Sequence, residues 1–258
     1  MSFTSAPAST LPSPLSSSTP LRVERVRHEL VRREVRVTHT EFLNPSMIAI
    51  TLADPSVRSF TSLSFDDHVK FMFIDAAGEL QRRDYTPRRF DLETGELVIE
   101  FALHEHGPAS DWARSARAGD SATVAGPKGS MIIPLGYDWH LLVGDATAFP
   151  AMARRLEELP AGARATVVAA TPSEAERPAW ASAAQLEVHW VDHADELAAA
   201  VAKLEKPEGH GFAWGAGESS AMRALRETLL QQGYAKDQMR ISAYWKRGAE
   251  GFHENLDQ

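Results

Sequence analysis

Between Glu29 and Pro134 the apolar positions come in short bursts separated by turn residues. Leu30–Thr40 alternates loosely, and Met47–Leu52, Val69–Ile74 and Leu97–Leu103 are compact apolar or β-branched segments. Asn44-Pro45, Asp54-Pro55, Ala77-Gly78 and Thr94-Gly95 punctuate them, as strand-and-turn sequences require. The pattern predicts one helix, Ala109–Arg117, before Ala122–Ala125 and Met131–Ile133 resume strand character. Short strands with one late helix predict a small six-stranded antiparallel β-barrel.

The rhythm then changes. His140–Val143 is an apolar run ending at Gly144, followed by Phe149, Met152, Ala153 and Leu156 at helical spacing. Ala165–Ala169, Leu186–Trp190, Phe212–Gly215 and Arg240–Tyr244 read as further strands. Between them, Leu197, Val201 and Leu204 mark one helical face, and Met222, Leu225 and Leu229 another. Strand–helix alternation of this kind predicts a doubly wound parallel α/β domain. The boundary falls near Gly136, giving domains over residues 21–136 and 137–258 behind a tail over 1–20. That tail is rich in Ser, Pro and Thr and predicts disorder.

Composition narrows the chemistry. The net charge of -8 argues against a general nucleic-acid binder, which needs a broad basic face. With no cysteine, disulfides, thiolate-bound metals and cysteine nucleophiles are excluded, so any redox work must come from an organic cofactor. No apolar run is long enough to span a membrane and the N-terminus does not read as a signal peptide, which points to the cytoplasm. His104 and His106 share a strand face in this reading, but no histidine spacing suggests a metal centre, and no metal ligand is assigned.

The stretch Arg82-Arg83-Asp84-Tyr85-Thr86-Pro87-Arg88-Arg89-Phe90 combines an aromatic surface, a hydroxyl and cations. A flavin needs these for its ring, its reactive edge and its pyrophosphate. On an ideal strand Arg83 and Tyr85 share a face and Thr86 points opposite, with Pro87 ending the strand. Alone, the segment reads equally as a strand end carrying surface charge. In His104-Glu105-His106-Gly107-Pro108-Ala109-Ser110-Asp111-Trp112-Ala113, Gly107 permits close backbone approach and Pro108 suits a first helical turn. Ala109 and Ser110 then offer N–H groups to an anion, although an ordinary helix start explains this segment as well.

Together with Asp66-Asp67-His68-Val69-Lys70, Ala118-Gly119-Asp120, Gly126-Pro127-Lys128-Gly129 and Tyr244-Trp245-Lys246-Arg247-Gly248, these stretches resemble the siderophore-interacting protein family. The resemblance runs from about residue 24 to about residue 253. It implies a ferredoxin–NADP reductase-like flavoprotein that passes electrons from NADPH or NADH through FAD to a ferric siderophore. By the same resemblance, Tyr85 and Thr86 sit at the reacting flavin, with Arg83 and Arg88 on its phosphates. His104, Gly107, Pro108, Ala109 and Ser110 form its second segment. Gly144-Asp145-Ala146-Thr147-Ala148-Phe149-Pro150 and Trp214-Gly215-Ala216-Gly217-Glu218 look like the nicotinamide-side loops, giving Asp145, Thr147, Ala148 and Gly217 as cofactor contacts, with Trp245 beside them. Each loop follows an apolar strand and opens a helix, where a phosphate would meet free N–H groups, yet neither is a G-x-G-x-x-G.

Catecholate ferric siderophores are anionic, so the substrate pocket calls for cations, and Lys70, Lys128, Lys246 and Arg247 are its candidates. Arg154, Arg155 and Arg177 are unranked candidates for an adenosine 2′-phosphate. Two alternatives stay open: a ferredoxin-like protein as electron donor, or a siderophore- or flavin-binding protein without efficient turnover. A monomer is expected.

Overall fold

The computed structural model describes residues 21–105, 107–249 and 254–256. The expected disordered tail, His106 and most of the acidic C-terminal end lie outside the described residues. The N-terminal half contains β1 (Glu24–Arg27), β2 (Arg32–Asn44), β3 (Met47–Ala53), β4 (Val69–Ile74), β5 (Leu80–Tyr85), β6 (Pro87–Asp91), β7 (Glu96–Ala102), α1 (Pro108–Ser115), β8 (Ser121–Ala125) and β9 (Gly129–Ile132). Seven strands form one curled antiparallel sheet in the order β5-β4-β8-β2-β3-β7-β6, while β1 and β9 pair apart from it. Period-two alternation turns Val35 and Val37 of β2, and Leu97, Ile99 and Phe101 of β7, into the core. Phe71, Phe73 and Val124 meet them there, and α1 packs Ala113 and Trp112 against the same cluster.

The expected six-stranded barrel is therefore an open sheet of seven strands. β5 and β6 lie at its opposite edges, although Thr86 alone separates them in the chain. The curl is closed by the covalent chain at Thr86 rather than by a hydrogen-bonded ladder, and counting β5 and β6 as one broken strand restores six segments. Pro87 does not end the strand either; it opens β6 opposite Ile99. A residue without an N–H is tolerated at the first position of an edge strand. The helix also starts and stops earlier than the expected 109–117. Pro108 occupies its first turn, and Ala116 leaves the helical region with ψ of 135°.

The C-terminal half contains β10 (Trp139–Asp145), α2 (Phe149–Glu158), β11 (Arg164–Ala170), β12 (Gln185–Val191), α3 (Leu197–Val201), β13 (Gly211–Glu218), α4 (Ser219–Gln231), β14 (Met239–Trp245) and β15 (Glu254–Asn255). The sheet order is β12-β11-β10-β13-β14-β15, with the first five strands parallel and β15 antiparallel at the edge. Every residue of β10 and β13 is buried, as central strands covered on both faces must be. Phe149, Met152 and Leu156 of α2 pack on one face with Leu142, Val167 and Trp214. Leu197 and Val201 of α3 join Leu225 and Leu229 of α4 on the other, against Leu141, Val143 and Ile241. The strand order reverses between β10 and β13, where open α/β sheets place their ligands.

Buried charge joins the two halves. Asp66, 5% exposed, precedes β4; its carboxylate accepts hydrogen bonds from Trp214 Nε1 (2.9 Å) and Tyr244 Oη (3.4 Å) and pairs with Arg240 Nε. Arg154 donates to Pro87 O and Ser62 Oγ, and Arg155 to Ile133 O and Pro134 O. Both arginines are buried in the junction, so they are spent on holding the domains rather than free for a 2′-phosphate. Arg177 lies over the Trp190 ring, 5.2 Å from its centroid.

His140 of β10 is 2% exposed, with Nδ1 3.4 Å from Arg155 Nη2. Burial, reinforced by the Arg155 guanidinium, holds its imidazole down to about 4. Between that value and an unfolded value of about 6.5 the unfolded chain binds more protons. Stability present above about pH 6.5 is thus lost as pH falls toward 4, by up to about 3 kcal/mol. Thermal melts of the wild type and His140→Gln from pH 7 to 4.5 will show a shallower acid slope in the variant; parallel slopes would assign the titration elsewhere.

Candidate active site: a cleft between the two domains

Where the β5 edge of the curled sheet faces the C-terminal ends of β10 and β14, a cleft of about 350 Å³ opens. Its first wall is the end of β5. The Tyr85 ring packs on Phe101, centroids 4.3 Å apart, and edge-on against Phe71 at 5.9 Å. Burial pushes its phenol well above the usual range, so the hydroxyl stays protonated. Thr86 occupies the break between β5 and β6 and is nearly buried, while Arg82, Arg83 and Asp84 complete this wall.

The second wall is the turn after β7 and the start of α1. Gly107, the residue before the helix, has φ of +142°, a conformation open to glycine and costly for other residues. The turn folds back on the helix because Ser110 Oγ accepts from His104 N (2.9 Å) and Arg114 Nη2 donates to His104 O (2.6 Å). Gly107, Pro108, Ala109 and Ser110 line the cleft. His104 lies beyond β7 in this turn, not on a strand face as expected.

The third wall belongs to the parallel domain: Thr147, Pro150, Tyr244 and Trp245. Trp245 Nε1 donates to Asp145 Oδ2 (2.9 Å), and its ring stands 5.8 Å from that of His104 across the cleft. Asp145 also accepts from Glu218 N at the end of β13 and, through its other oxygen, from Thr147 N and Oγ1. One carboxylate thus ties together the ends of β10, β13 and β14.

The cleft brings together Lys70, Arg83, Tyr85, Thr86, His104, Gly107, Pro108, Ala109, Ser110, Thr147 and Trp245 of the residues picked out in the sequence. Seven others lie off its surface. Arg88, 6% exposed, points into the junction, where Nη1 and Nη2 donate to the two carboxylate oxygens of Glu157 (2.8 and 2.6 Å) and Nε lies 3.1 Å from Glu100. Asp145 is occupied by the hydrogen bonds above, and Ala148 is fully buried in the α2 core. Gly217 has φ of +152°, and a Cβ there would meet Asp145 Oδ2 at 2.6 Å, so the residue is needed for backbone fit. Lys128, Lys246 and Arg247 are exposed outside the lining.

The expected free N–H groups at the two loops are also taken. Asp145 claims that of Thr147, and the Glu218 carboxylate caps α4 through the N–H groups of Ser220 (2.6 Å) and Ala221 (3.2 Å). Sequence reasoning passed over His68, Arg82, Asp84, Glu100, Pro150 and Tyr244 as lining residues. Most stand inside the motifs already singled out; Glu100 carried a signal only as a carboxylate in mid-strand. Among the described residues no cluster of histidines and carboxylates is arranged to hold a metal.

An aromatic wall beside a buried hydroxyl, with guanidinium groups and a helix start in the same lining, fits a planar ring system carrying a pyrophosphate. Residues 75–131 match the siderophore-interacting FAD-binding domain, and residues 137–248 match the siderophore-interacting protein domain. The NADPH-dependent ferric-chelate reductase of Escherichia coli is 32% identical over 251 residues, covering 89% of this chain and 98% of that protein. The chain belongs to the siderophore-interacting protein family. A second relative, the ferric vibriobactin reductase of Vibrio cholerae, is 27% identical over 83% of this chain and 90% of its own. The crystal structure of a siderophore utilization protein from T. fusca superimposes with a TM-score of 0.84, at 31% identity, over 89% of this chain and 98% of that one.

Because Arg88 is held by two carboxylates, Arg88→Met will act on the fold. It will cost about 3 kcal/mol, lowering the melting temperature by roughly 6–12 °C, while FAD per chain in the cold-purified protein stays at the wild-type level. Loss of FAD at an unchanged melting temperature would restore a phosphate role.

Proposed function

We propose that this chain is an FAD-dependent ferric-siderophore reductase that takes its electrons from NADPH. The observation that carries this reading is the cleft itself: Arg83, Tyr85 and Thr86 on one domain face Thr147 and Trp245 on the other. A flavin held on the first wall would present one side to a nicotinamide arriving at the second. Held by Arg83, Tyr85, Thr86 and the start of α1, a flavin would supply acceptance of a hydride from the nicotinamide and one-electron transfer, twice, to Fe(III) chelates, the proton of the hydride going to solvent. Siderophores hold Fe(II) far more weakly than Fe(III), so reduction frees the metal.

The residues have separate tasks. Tyr85, its ring fixed by Phe71 and Phe101, forms a rigid aromatic surface with a protonated hydroxyl. Thr86 sets a hydroxyl beside the same surface, and Arg83 with the start of α1 supplies positive charge for the pyrophosphate. Trp245, held by Asp145, and His104 stand on facing sides of the cleft, where their rings would border the bound cofactors. Lys70 at the mouth favours an anionic chelate, with Lys246 and Arg247 as outer cations beyond the lining. A monomer is the proposed working unit, and dependence on NADPH is the support for a cytoplasmic reaction. Among the described residues no helix is long and apolar enough to cross a membrane.

The occupied N–H groups at Thr147 and at α4 favour a second reading, in which a ferredoxin-like protein is the donor. The visible spectrum of the anaerobic protein separates the two. Bleaching of flavin bands by NADPH, followed by their return on adding a ferric siderophore, is the expected course; bands that persist with NADPH but bleach with reduced ferredoxin would move the donor to a protein. A preparation that holds no flavin and takes none up would overturn the reading.

Two sets of variants follow. Arg83→Ala and Tyr85→Ala will lower FAD retained through gel filtration by about tenfold or more in affinity, the loss of roughly 1.5 kcal/mol of charge-assisted contact or aromatic packing. Normal flavin content in both would remove the assignment. Lys246→Ala will keep FAD and raise the apparent KM for an anionic ferric siderophore; an unchanged KM would drop it from the substrate site.

A further inference from the structure

Lys70 and Asp84 are cross-strand partners on β4 and β5, and both line the cleft. Lys70 Nζ lies 2.7 Å from Asp84 Oδ1 and 2.8 Å from Oδ2, so the carboxylate takes the ammonium with both oxygens. The pair is open to solvent, its side chains 44% and 22% exposed. An exposed pair of this kind adds little to stability. Its effect falls on the field at the mouth of the cleft, where a lysine facing an anionic chelate would otherwise present a full positive charge.

The other charges around it sharpen the point. Glu100, the second carboxylate of the lining, is turned toward Arg88 and held there. Arg82 pairs in register with Met72, two residues along from Lys70 on the same face of β4–β5. The Lys70 row continues through Ala125 to Arg32 on β2. His68, Arg83 and Tyr85 complete the titratable groups of this side of the cleft. Asp84 is therefore the carboxylate that moderates a locally basic rim, and strand register holds it on the lysine.

We propose that Asp84 is a specificity-determining residue of the ferric-chelate site. By pairing with Lys70 it lowers the preference for highly anionic chelates, such as tris-catecholates, relative to neutral tris-hydroxamates. The inference rests on the reductase reading above. Asp84 acts on the substrate's charge through Lys70 and takes no part in electron transfer.

The experiment uses the FAD-loaded protein under NADPH, anaerobically, with two probes: a triply anionic ferric tris-catecholate and a neutral ferric tris-hydroxamate. In Asp84→Asn the KM for the tris-catecholate will fall roughly five- to tenfold, as expected for one charge removed about 10 Å from a triply charged ligand in a water-like medium. The KM for the tris-hydroxamate will change less than twofold. The gain will shrink as salt is raised, disappear when Lys70→Gln is added, and be absent in Asp84→Glu. Should Asp84→Asn fail to hold FAD, Lys70→Gln alone tests the same point: with Asp84 left unopposed, the KM for the tris-catecholate rises and that for the tris-hydroxamate does not. Equal changes for both probes, no change for either, or a gain that survives loss of Lys70 would overturn the proposal. If neither chelate reoxidises the reduced flavin of the wild type, the reductase reading itself fails.

Discussion

A single buried carboxylate, Asp66, holds the arrangement on which the cleft depends. It leaves the curled sheet just before β4 and receives Trp214 of β13 together with Arg240 and Tyr244 of β14. A charge so deeply buried is tolerable when its oxygens are satisfied and an opposite charge is at hand. The price is geometric rigidity: the ends of the parallel strands must stand opposite the β5 edge. Arg88 with Glu157, and Arg154 with the backbone at Pro87, brace the same junction from α2. Domains joined by satisfied buried charge have one well-defined docking, which suits a site built from both.

Within that frame the first wall of the cleft is created by a break. A strand continuous through Thr86 would commit its backbone to one unbroken ladder. Here β5 stops at Tyr85 and β6 restarts at Pro87 on the far edge. The interruption leaves Tyr85 packed from behind by core aromatics and places Thr86 at an opening. On the other domain Asp145 does comparable work. By taking the N–H groups of Thr147 and Glu218 and the indole of Trp245, it fixes the loop ends that face the β5 wall. Gly217 follows from that, since any Cβ would strike this carboxylate.

Much of this was legible. Alternation in β2 and β7, continuous apolar runs in β10 and β13, and helical spacing in α2 and α4 are local consequences of burying one face or two. The segments that line the cleft were legible through their resemblance to the siderophore-interacting family, since residue chemistry alone left each with an ordinary structural explanation. Side-chain destinations were not. Arg83 and Arg88 are alike in sequence, yet one lines the cleft and the other closes a junction ion pair, because Glu157 of α2 and Glu100 of β7 stand beside the second only in the folded chain. Arg154 and Arg155 look like phosphate ligands until the packing of α2 against the first domain is known. Asp145 ends β10 and Ala148 precedes α2 in a segment of the right composition, and their neighbours draw them inward.

What the chain determined alone was the order of its elements, the change from barrel-like to parallel architecture near Gly136, and the chemical inventory of the cleft walls. These follow from periodicity and residue type, which act over a few positions. Tertiary structure decided that the sheet stays open between β5 and β6, which charges are used up in the junction, and which remain at the mouth. The pairing of Lys70 with Asp84 belongs to this second group, since it depends on the register of two strands. Electrostatic partners are set by distance in space, and for residues far apart in the chain that distance exists only once the domains have docked.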